Sequence, residues 1–132
     1  MNRLWLMGIM ALLTAPAVWS QAEFPPDIFD TRPVALDPAH FRLVFENDRV
    51  QVIRVQIGPH AKTTIMEIPA HVMTCLTDQH VRVIPAHHKP GERSRKAGYT
   101  GWVERDEYGL ENLGDTPAEW ILVAPKDADK SG

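Results

Sequence analysis

The sequence predicts an all-β fold, an antiparallel β-barrel or flattened jelly roll of roughly six to ten strands. Short runs in which apolar and polar residues alternate recur along the chain, and turn-forming residues separate them. No window of about 11 residues has the apolar spacing of an amphipathic helix. Short alternating strands at regular intervals are typical of sandwiches and closed barrels.

Residues 1–22 have the character of a secretory signal peptide. Arg3 precedes an apolar run over residues 4–18, and Ser20-Gln21-Ala22 supplies small residues at the exit. The run is too short to cross a bilayer at about 20 residues per crossing. We therefore expect a cleaved signal and a periplasmic or secreted protein that meets the membrane only through this segment before cleavage. An uncleaved N-terminal anchor is the alternative, and it too would place the domain outside the cytoplasm.

Residues 23–39 are predicted to form a proline-rich arm. Pro25, Pro26, Pro33 and Pro38 interrupt any regular period in this stretch, so an extended linker or arm is expected. Such an arm leaves open a homodimer in which it packs on a neighbouring copy.

A barrel domain is expected from His40 to Pro125, and it begins with a hairpin. Phe41, Leu43 and Phe45 alternate with polar residues, and Asn47-Asp48 supplies a turn. In the following strand, residues 49–57, the apolar positions change parity after Val52, and this predicts a bulge inside that strand.

Six further strands are expected after Gly58-Pro59. They cover residues 63–68, 71–77, 80–84, 97–103, 109–113 and 119–124. The basic block Gly91–Lys96 is predicted to be a solvated turn. Residues 126–132 are predicted to be a polar tail.

Composition excludes several classes of protein. The formal net charge is −3 and the basic residues are scattered, so no surface for nucleic acid is expected. Cys75 is the only cysteine, which rules out an intramolecular disulfide. The folded domain must therefore be held together by its core.

Several separate blocks occur in an order that resembles a known family. They are residues 41–52, Gly58-Pro59, residues 76–78, residues 96–98 and residues 111–117. Together they resemble the small exported single-domain bacterial cupins of the RmlC-like cupin superfamily. This resemblance covers about residues 40–125 and implies a cupin-type barrel.

The resemblance also implies a metal site, because cupins bind a divalent metal through two motifs. The positions of the first two histidines fall on Met66 and Ile68, and the carboxylate position falls on about Met73. In the second motif Asn112 is present, but the position of the third histidine is Tyr108. None of these four side chains suits the hard or borderline metals that cupins use. The resemblance therefore implies degenerate metal motifs, and we expect no cofactor.

The same alignment places a set of side chains in the barrel interior. The expected ligand pocket consists of Met66, Ile68, His71, Met73, Trp102 and Tyr108. We expect a non-catalytic module that binds a small, largely apolar ligand or a partner.

Two alternatives stay open. The first is an enzyme that works without a metal or with a relocated one, in which the Tyr108 hydroxyl and a nearby acid act as acid and base. The second is a soft-metal protein that holds Cu(I) through Met66, His71, Met73 and Cys75, since thioether, thiolate and imidazole ligands suit that ion.

Overall fold

The computed structural model describes residues 31–127. The predicted signal segment 1–22, residues 23–30 of the arm and residues 128–132 of the tail lie outside the described residues. No helix in the described range is long and apolar enough to cross a membrane.

The predicted all-β class is confirmed, and the nine strands of the described region fall within the expected number. The strands are β1 (Phe41–Glu46), β2 (Val50–Ile57), β3 (Met66–Ile68), β4 (His71–Cys75), β5 (Gln79–Pro85), β6 (Gly91–Arg95), β7 (Thr100–Val103), β8 (Asp106–Asn112) and β9 (Ala118–Pro125). One short helix, α1 (Pro33–Leu36), precedes them.

The strands form two antiparallel sheets. The larger sheet has the order β1-β2-β9-β4-β7, and the smaller has the order β3-β8-β5-β6. Neighbours within a sheet are often distant in sequence; β2, for example, pairs with β9 along its whole length. This arrangement brings the inner faces of the two sheets together over one core.

The core lies between the sheets because the strands alternate. In β2 and β9 every second residue is buried. The larger sheet contributes Ile53, Val55, Ile57, Trp120 and Leu122, and the smaller contributes Met66, Ile68, Val81, Tyr108 and Leu110. Large apolar side chains of this kind each contribute about 1.5–3 kcal/mol when buried.

The first hairpin forms as predicted, but the bulge is in the other strand. The Asn47 side chain accepts hydrogen bonds from the backbone N–H groups of Arg49 and Val50, at 2.8 and 2.9 Å, and so fixes the turn. The register shifts between Leu43 and Phe45 in β1, whereas β2 is regular. The bulge expected in β2 was wrong because Val52 lies on the outer face of the sheet and Gln51 on the inner face.

Two further predictions are corrected. Residues 91–95, expected to be a turn, form strand β6, which pairs with β5. This edge strand is mostly exposed and polar, so it has no apolar alternation, and backbone pairing determines its structure. Within the predicted extended arm, Pro33–Leu36 forms a helical turn, since Pro33 sits in the first turn where its fixed φ suits a helix.

Candidate functional site

A cavity of about 340 Å³ lies between the two sheets, on the inner side of β4, β5, β7 and β8. This volume is within the range of small-ligand pockets, which begins near 300 Å³. Most of the wall is apolar, and its buried apolar residues are Phe41, Ile68, Val81, Leu110, Trp120 and Leu122. Three buried polar side chains also belong to the lining: His71, Gln79 and Tyr108.

His71, the first residue of β4, is held in one tautomer by the backbone. Its Nδ1 lies 2.7 Å from the carbonyl oxygen of Pro69. A carbonyl oxygen can only accept a hydrogen bond, so Nδ1 carries the proton and the neutral ring has its lone pair on Nε2. Burial lowers the pKa of His71, and the Pro69 carbonyl opposes this shift only in part. The ring is therefore neutral near pH 7, with Nε2 as a hydrogen-bond acceptor.

Tyr108 on β8 supplies the second polar group of the wall. Its side chain is buried, and its Cα partner across the sheet is Met66. Burial raises the pKa of Tyr108, and the nearby Asp106 carboxylate raises it further. The phenol consequently keeps its proton and can donate a hydrogen bond.

Neither Tyr108 Oη nor His71 Nε2 has a hydrogen-bond partner among the described residues, yet neither is sealed in the core. Within residues 31–127, Nε of Arg54 is the one fully buried side-chain nitrogen or oxygen that lacks a partner. The two cavity atoms therefore keep some accessible surface, and their side chains meet accessible space at the cavity wall. Gln79 differs, because its amide donates to the carbonyl of Glu119 at 3.2 Å.

Charged side chains of both signs surround the mouth of the cavity. They are Arg93, Arg95, Glu104, Arg105 and Asp106, and none of them is buried. Most of these charged side chains already interact with other residues of the chain. Arg105 forms an ion pair with Glu67, the Arg95 guanidinium lies 4.6 Å from the centre of the Tyr99 ring, and Arg93 donates to the carbonyl of Glu92. The charges are thus confined to the rim, and the buried part of the lining is uncharged.

Asn112 ends β8, four residues after Tyr108, and is buried in a fully bonded network. Its Nδ2 donates to the carbonyls of Ile57, Gly58 and Thr116, at 3.0, 3.1 and 2.8 Å. Its Oδ1 accepts from the N–H of Gly114 at 2.9 Å. Asn112 ties β8 to the end of β2 and to the turn before β9, so its role is structural.

The structure brings four of the six predicted pocket residues to the cavity wall. Ile68, His71, Met73 and Tyr108 line the cavity. Met66 is buried in the neighbouring core rather than on the wall.

The prediction that Trp102 lines the pocket is wrong, because its side chain lies on the outer face of the sheet. On β7 it is 49% exposed, and its Nε1 donates to Glu104 at 2.9 Å. Side chains alternate along a strand, so the inward position next to it is Val103, which does line the cavity.

The four positions that the cupin resemblance aligns with metal ligands carry side chains that do not fit a divalent metal. Ile68, Met73 and Tyr108 lie on the cavity wall with Met66 behind them, and none of the four offers a carboxylate or imidazole. In the described part of the chain, no group of three or more His, Cys, Asp or Glu side chains is placed to hold a metal ion.

The predicted copper set is divided between two environments. His71 and Met73 line the cavity, whereas Met66 and Cys75 pack in the core and are absent from its wall. Burial raises the pKa of the Cys75 thiol, with a smaller opposing effect of Arg95, so the thiolate that copper needs is disfavoured. The geometry therefore gives the copper alternative no shared site.

Phe41, Trp120 and the rim arginines were missed by the sequence prediction. Trp120 could have been found, because it shares strand parity with Leu122 in a run that alternates from Ala118 onward. Arg93 and Arg95 could not, since they lie on the edge strand that has no apolar pattern.

Comparison with known proteins identifies the fold. No family model and no curated protein matches the chain. Among solved structures, a cupin domain from Bordetella pertussis Tohama I matches with a TM-score of 0.61 at 17% identity, over 65% of this chain and 91% of that one.

Two further structures give the same result. An RmlC-like cupin family protein with a double-stranded β-helix fold from Methanocaldococcus jannaschii has a TM-score of 0.54 at 13% identity, over 70% of this chain and 84% of that one. An uncharacterized conserved protein with a double-stranded β-helix domain from Klebsiella pneumoniae has a TM-score of 0.51 at 18% identity, over 67% of this chain and 77% of that one. At these identities the likeness shows the fold and leaves activity open.

Proposed function

Starting from the cupin fold that the chain shares with these structures, we propose that it is a small-ligand-binding protein that works without a metal. One observation carries the proposal: a cavity of about 340 Å³ with apolar walls exposes two polar groups, on His71 and Tyr108, that have no partner among the described residues. Pockets of this kind, mostly apolar with a few placed polar groups, are typical of small-molecule sites.

The refilled metal positions support binding rather than metal chemistry. Ile68 and Met73 present apolar surface where cupin metal ligands would stand, and this surface suits an apolar ligand. Burying such a ligand is favourable by about 25 cal/mol per Å² of apolar surface.

A second candidate function is a metal-independent acid–base enzyme. The observation that favours it is the presence of a neutral imidazole on β4 and a phenol on β8 in the lining of one cavity. In such an enzyme His71 Nε2 would take a proton from a bound substrate and Tyr108 Oη would give one. The strongly raised pKa of the phenol counts against this role, since an acid catalyst works best with a pKa near the working pH.

We also propose that the protein acts outside the cytoplasm. The support is the basic start, apolar run and small-residue exit of residues 1–22. The mature chain should then begin near Gln21 or Glu23, and N-terminal sequencing of exported protein that returns Met1 would contradict cleavage.

The binding proposal is tested with toluene, a probe that makes no hydrogen bonds, and protein labelled with ¹³C at the methionine methyl groups. Met73 lines the cavity whereas Met66 lies behind its wall, so the two methyl groups are a matched pair. We expect a saturable shift of the Met73 signal, larger than that of Met66. Met73→Leu assigns the signal.

Variants that fill the cavity provide the control. Val83→Phe and Val103→Phe each enlarge a half-buried lining residue on a different strand, and either should abolish the Met73 shift. Trp102→Ala, on the outer face, should leave it unchanged. The proposal fails if toluene and its polar analogues p-cresol and p-toluate all leave Met73 unmoved in the folded wild-type protein.

A further inference from the structure

We infer that the ligand of this cavity is a neutral, mostly apolar molecule with a hydroxyl group, an alcohol or phenol, that donates to His71 Nε2 and accepts from Tyr108 Oη. This inference rests on the proposed binding function and names the chemical class that the site selects. Three features support it: the tautomer of His71, the absence of a hydrogen-bond acceptor for the Tyr108 hydroxyl among the described residues, and the confinement of charged side chains to the rim of the cavity.

The two polar atoms demand complementary partners. Because the Pro69 carbonyl holds the proton of His71 on Nδ1, the free atom Nε2 can only accept a hydrogen bond. The Tyr108 hydroxyl has no acceptor among the described residues, so its proton is available to a ligand. A ligand group that can both donate and accept a hydrogen bond meets the demand of each atom, and a hydroxyl is the smallest group with both capacities.

The wall also disfavours a charged ligand. Every fully buried lining residue is uncharged, and the charged residues lie at the rim. Among these, Arg105 is paired with Glu67, and Glu104 and Asp106 place negative charge on the same rim. An ion drawn into the apolar interior would lose its hydration without gaining a buried counter-charge, so the neutral molecule is preferred.

Four compounds that differ in one substituent separate these contributions: toluene, 4-methylanisole, p-cresol and p-toluate. Toluene offers no hydrogen bond, 4-methylanisole only accepts, p-cresol both donates and accepts, and p-toluate is anionic. Affinities are measured by calorimetry or by the Met73 methyl shift. We expect p-cresol to bind about tenfold or more tightly than toluene, and 4-methylanisole to lie between them.

Two conservative variants assign the effect to the two atoms. His71→Asn keeps an amide donor near Nδ1 and removes Nε2, whereas Tyr108→Phe removes only the hydroxyl. The affinity for p-cresol should fall about threefold to tenfold in each variant. That for 4-methylanisole should fall only in Tyr108→Phe, and that for toluene in neither.

The outcomes distinguish this inference from the proposed function. If toluene binds and p-cresol binds no more tightly, the hydroxyl inference is overturned while the binding function stands. If p-toluate binds most tightly and Arg93→Gln or Arg95→Gln removes the advantage, the ligand is an anion held at the rim, and the inference is again overturned. If none of the four binds, both fail together.

Discussion

Asn112 and Tyr108 are buried polar residues on the same strand, β8, and the structure treats them in opposite ways. Asn112 has its amide fully bonded to backbone groups of two separate segments, the end of β2 and the turn before β9. Tyr108, four residues earlier, has its hydroxyl at the cavity without a partner in the described chain. His71 resembles Tyr108 in this respect, since one ring nitrogen is bonded to Pro69 and the other is not.

This difference separates polar groups that the fold uses from those that it leaves available. A buried polar group without a partner costs about 1–3 kcal/mol, so a chain that only needed stability would satisfy or remove it. Asn112 obeys that rule, whereas the unpartnered atoms of His71 and Tyr108 avoid its full cost because they keep accessible surface at the cavity. We therefore assign Asn112 to stability and His71 with Tyr108 to binding, and three predictions test the division.

The largest expected effect is at Asn112. Asn112→Ala removes the donor of the buried hydrogen bond to the Ile57 carbonyl and the acceptor of the Gly114 N–H, and should lower the free energy of unfolding by about 3 kcal/mol or more, measured by urea denaturation. Asn112→Asp keeps the acceptor for Gly114 and loses the donors, so it should cost about as much. Thr116→Ala is the matched control, because that exposed residue contributes only its backbone carbonyl. If both Asn112 variants lowered the free energy of unfolding by less than about 1 kcal/mol, the assignment of Asn112 to stability would be wrong.

Tyr108 should show a different pattern in the same assay. Tyr108→Ala creates a cavity and should cost about 3 kcal/mol or more. Tyr108→Phe removes only a hydroxyl that has no partner among the described residues, and should change the free energy of unfolding by less than about 0.5 kcal/mol. The exposed Trp102 serves as comparison, since Trp102→Ala should have a much smaller effect than Tyr108→Ala. If Tyr108→Phe instead lowered the free energy of unfolding by about 1 kcal/mol, as the loss of a hydrogen bond does, the Tyr108 hydroxyl would be a structural group like the Asn112 amide.

The smallest effect concerns pH and His71. Burial lowers the folded-state pKa of His71 below its ordinary value of 6.5, so the unfolded chain binds the proton more readily. Stability attributable to His71 is therefore complete above pH 6.5 and declines as the pH falls from there toward the lower, folded-state pKa. His71→Asn should remove this part of the pH dependence between about pH 6.5 and 5.

A second pH window has to be kept apart from the first. The carboxylate pKa values of Glu46, Glu92 and Glu119 are lowered from 4.5 by their bonded partners, so stability from these groups is lost only at more acidic pH. Identical wild-type and His71→Asn profiles above pH 5 would show that the ring is not buried in its neutral form.

The sequence predicted the fold better than it predicted local detail. Alternation located eight of the nine strands, because half-buried strands carry that pattern. It could not find β6, because the residues of that strand are polar and mostly exposed and show no apolar alternation. It also placed the bulge in β2, because Val52 is apolar although it lies on the outer face.

The residues of the candidate site were predicted only in part, because strand parity and the resemblance give the face of a residue but not its three-dimensional contacts. Parity along β4 put His71 and Met73 on one face, and the cupin resemblance turned that face and Tyr108 toward the interior. In the structure these three side chains line the cavity. Trp102 was misplaced because a large aromatic side chain is usually buried, whereas here its strand register turns it outward. The tautomer of His71 was out of reach, since it depends on the backbone carbonyl of Pro69 in three dimensions.

If His71 Nε2 is an unprotonated nitrogen that accepts a hydrogen bond from a ligand hydroxyl, ¹⁵N NMR of the labelled imidazole can show it directly. In the free protein near pH 7 we expect one protonated nitrogen, Nδ1, and one nitrogen with an unshared lone pair, Nε2. Addition of p-cresol should shift the Nε2 resonance in the direction of hydrogen-bond acceptance and leave Nδ1 nearly unchanged, whereas toluene should leave both unchanged. A ring that is protonated on both nitrogens, or an Nε2 resonance that p-cresol does not move at saturation, would contradict the account.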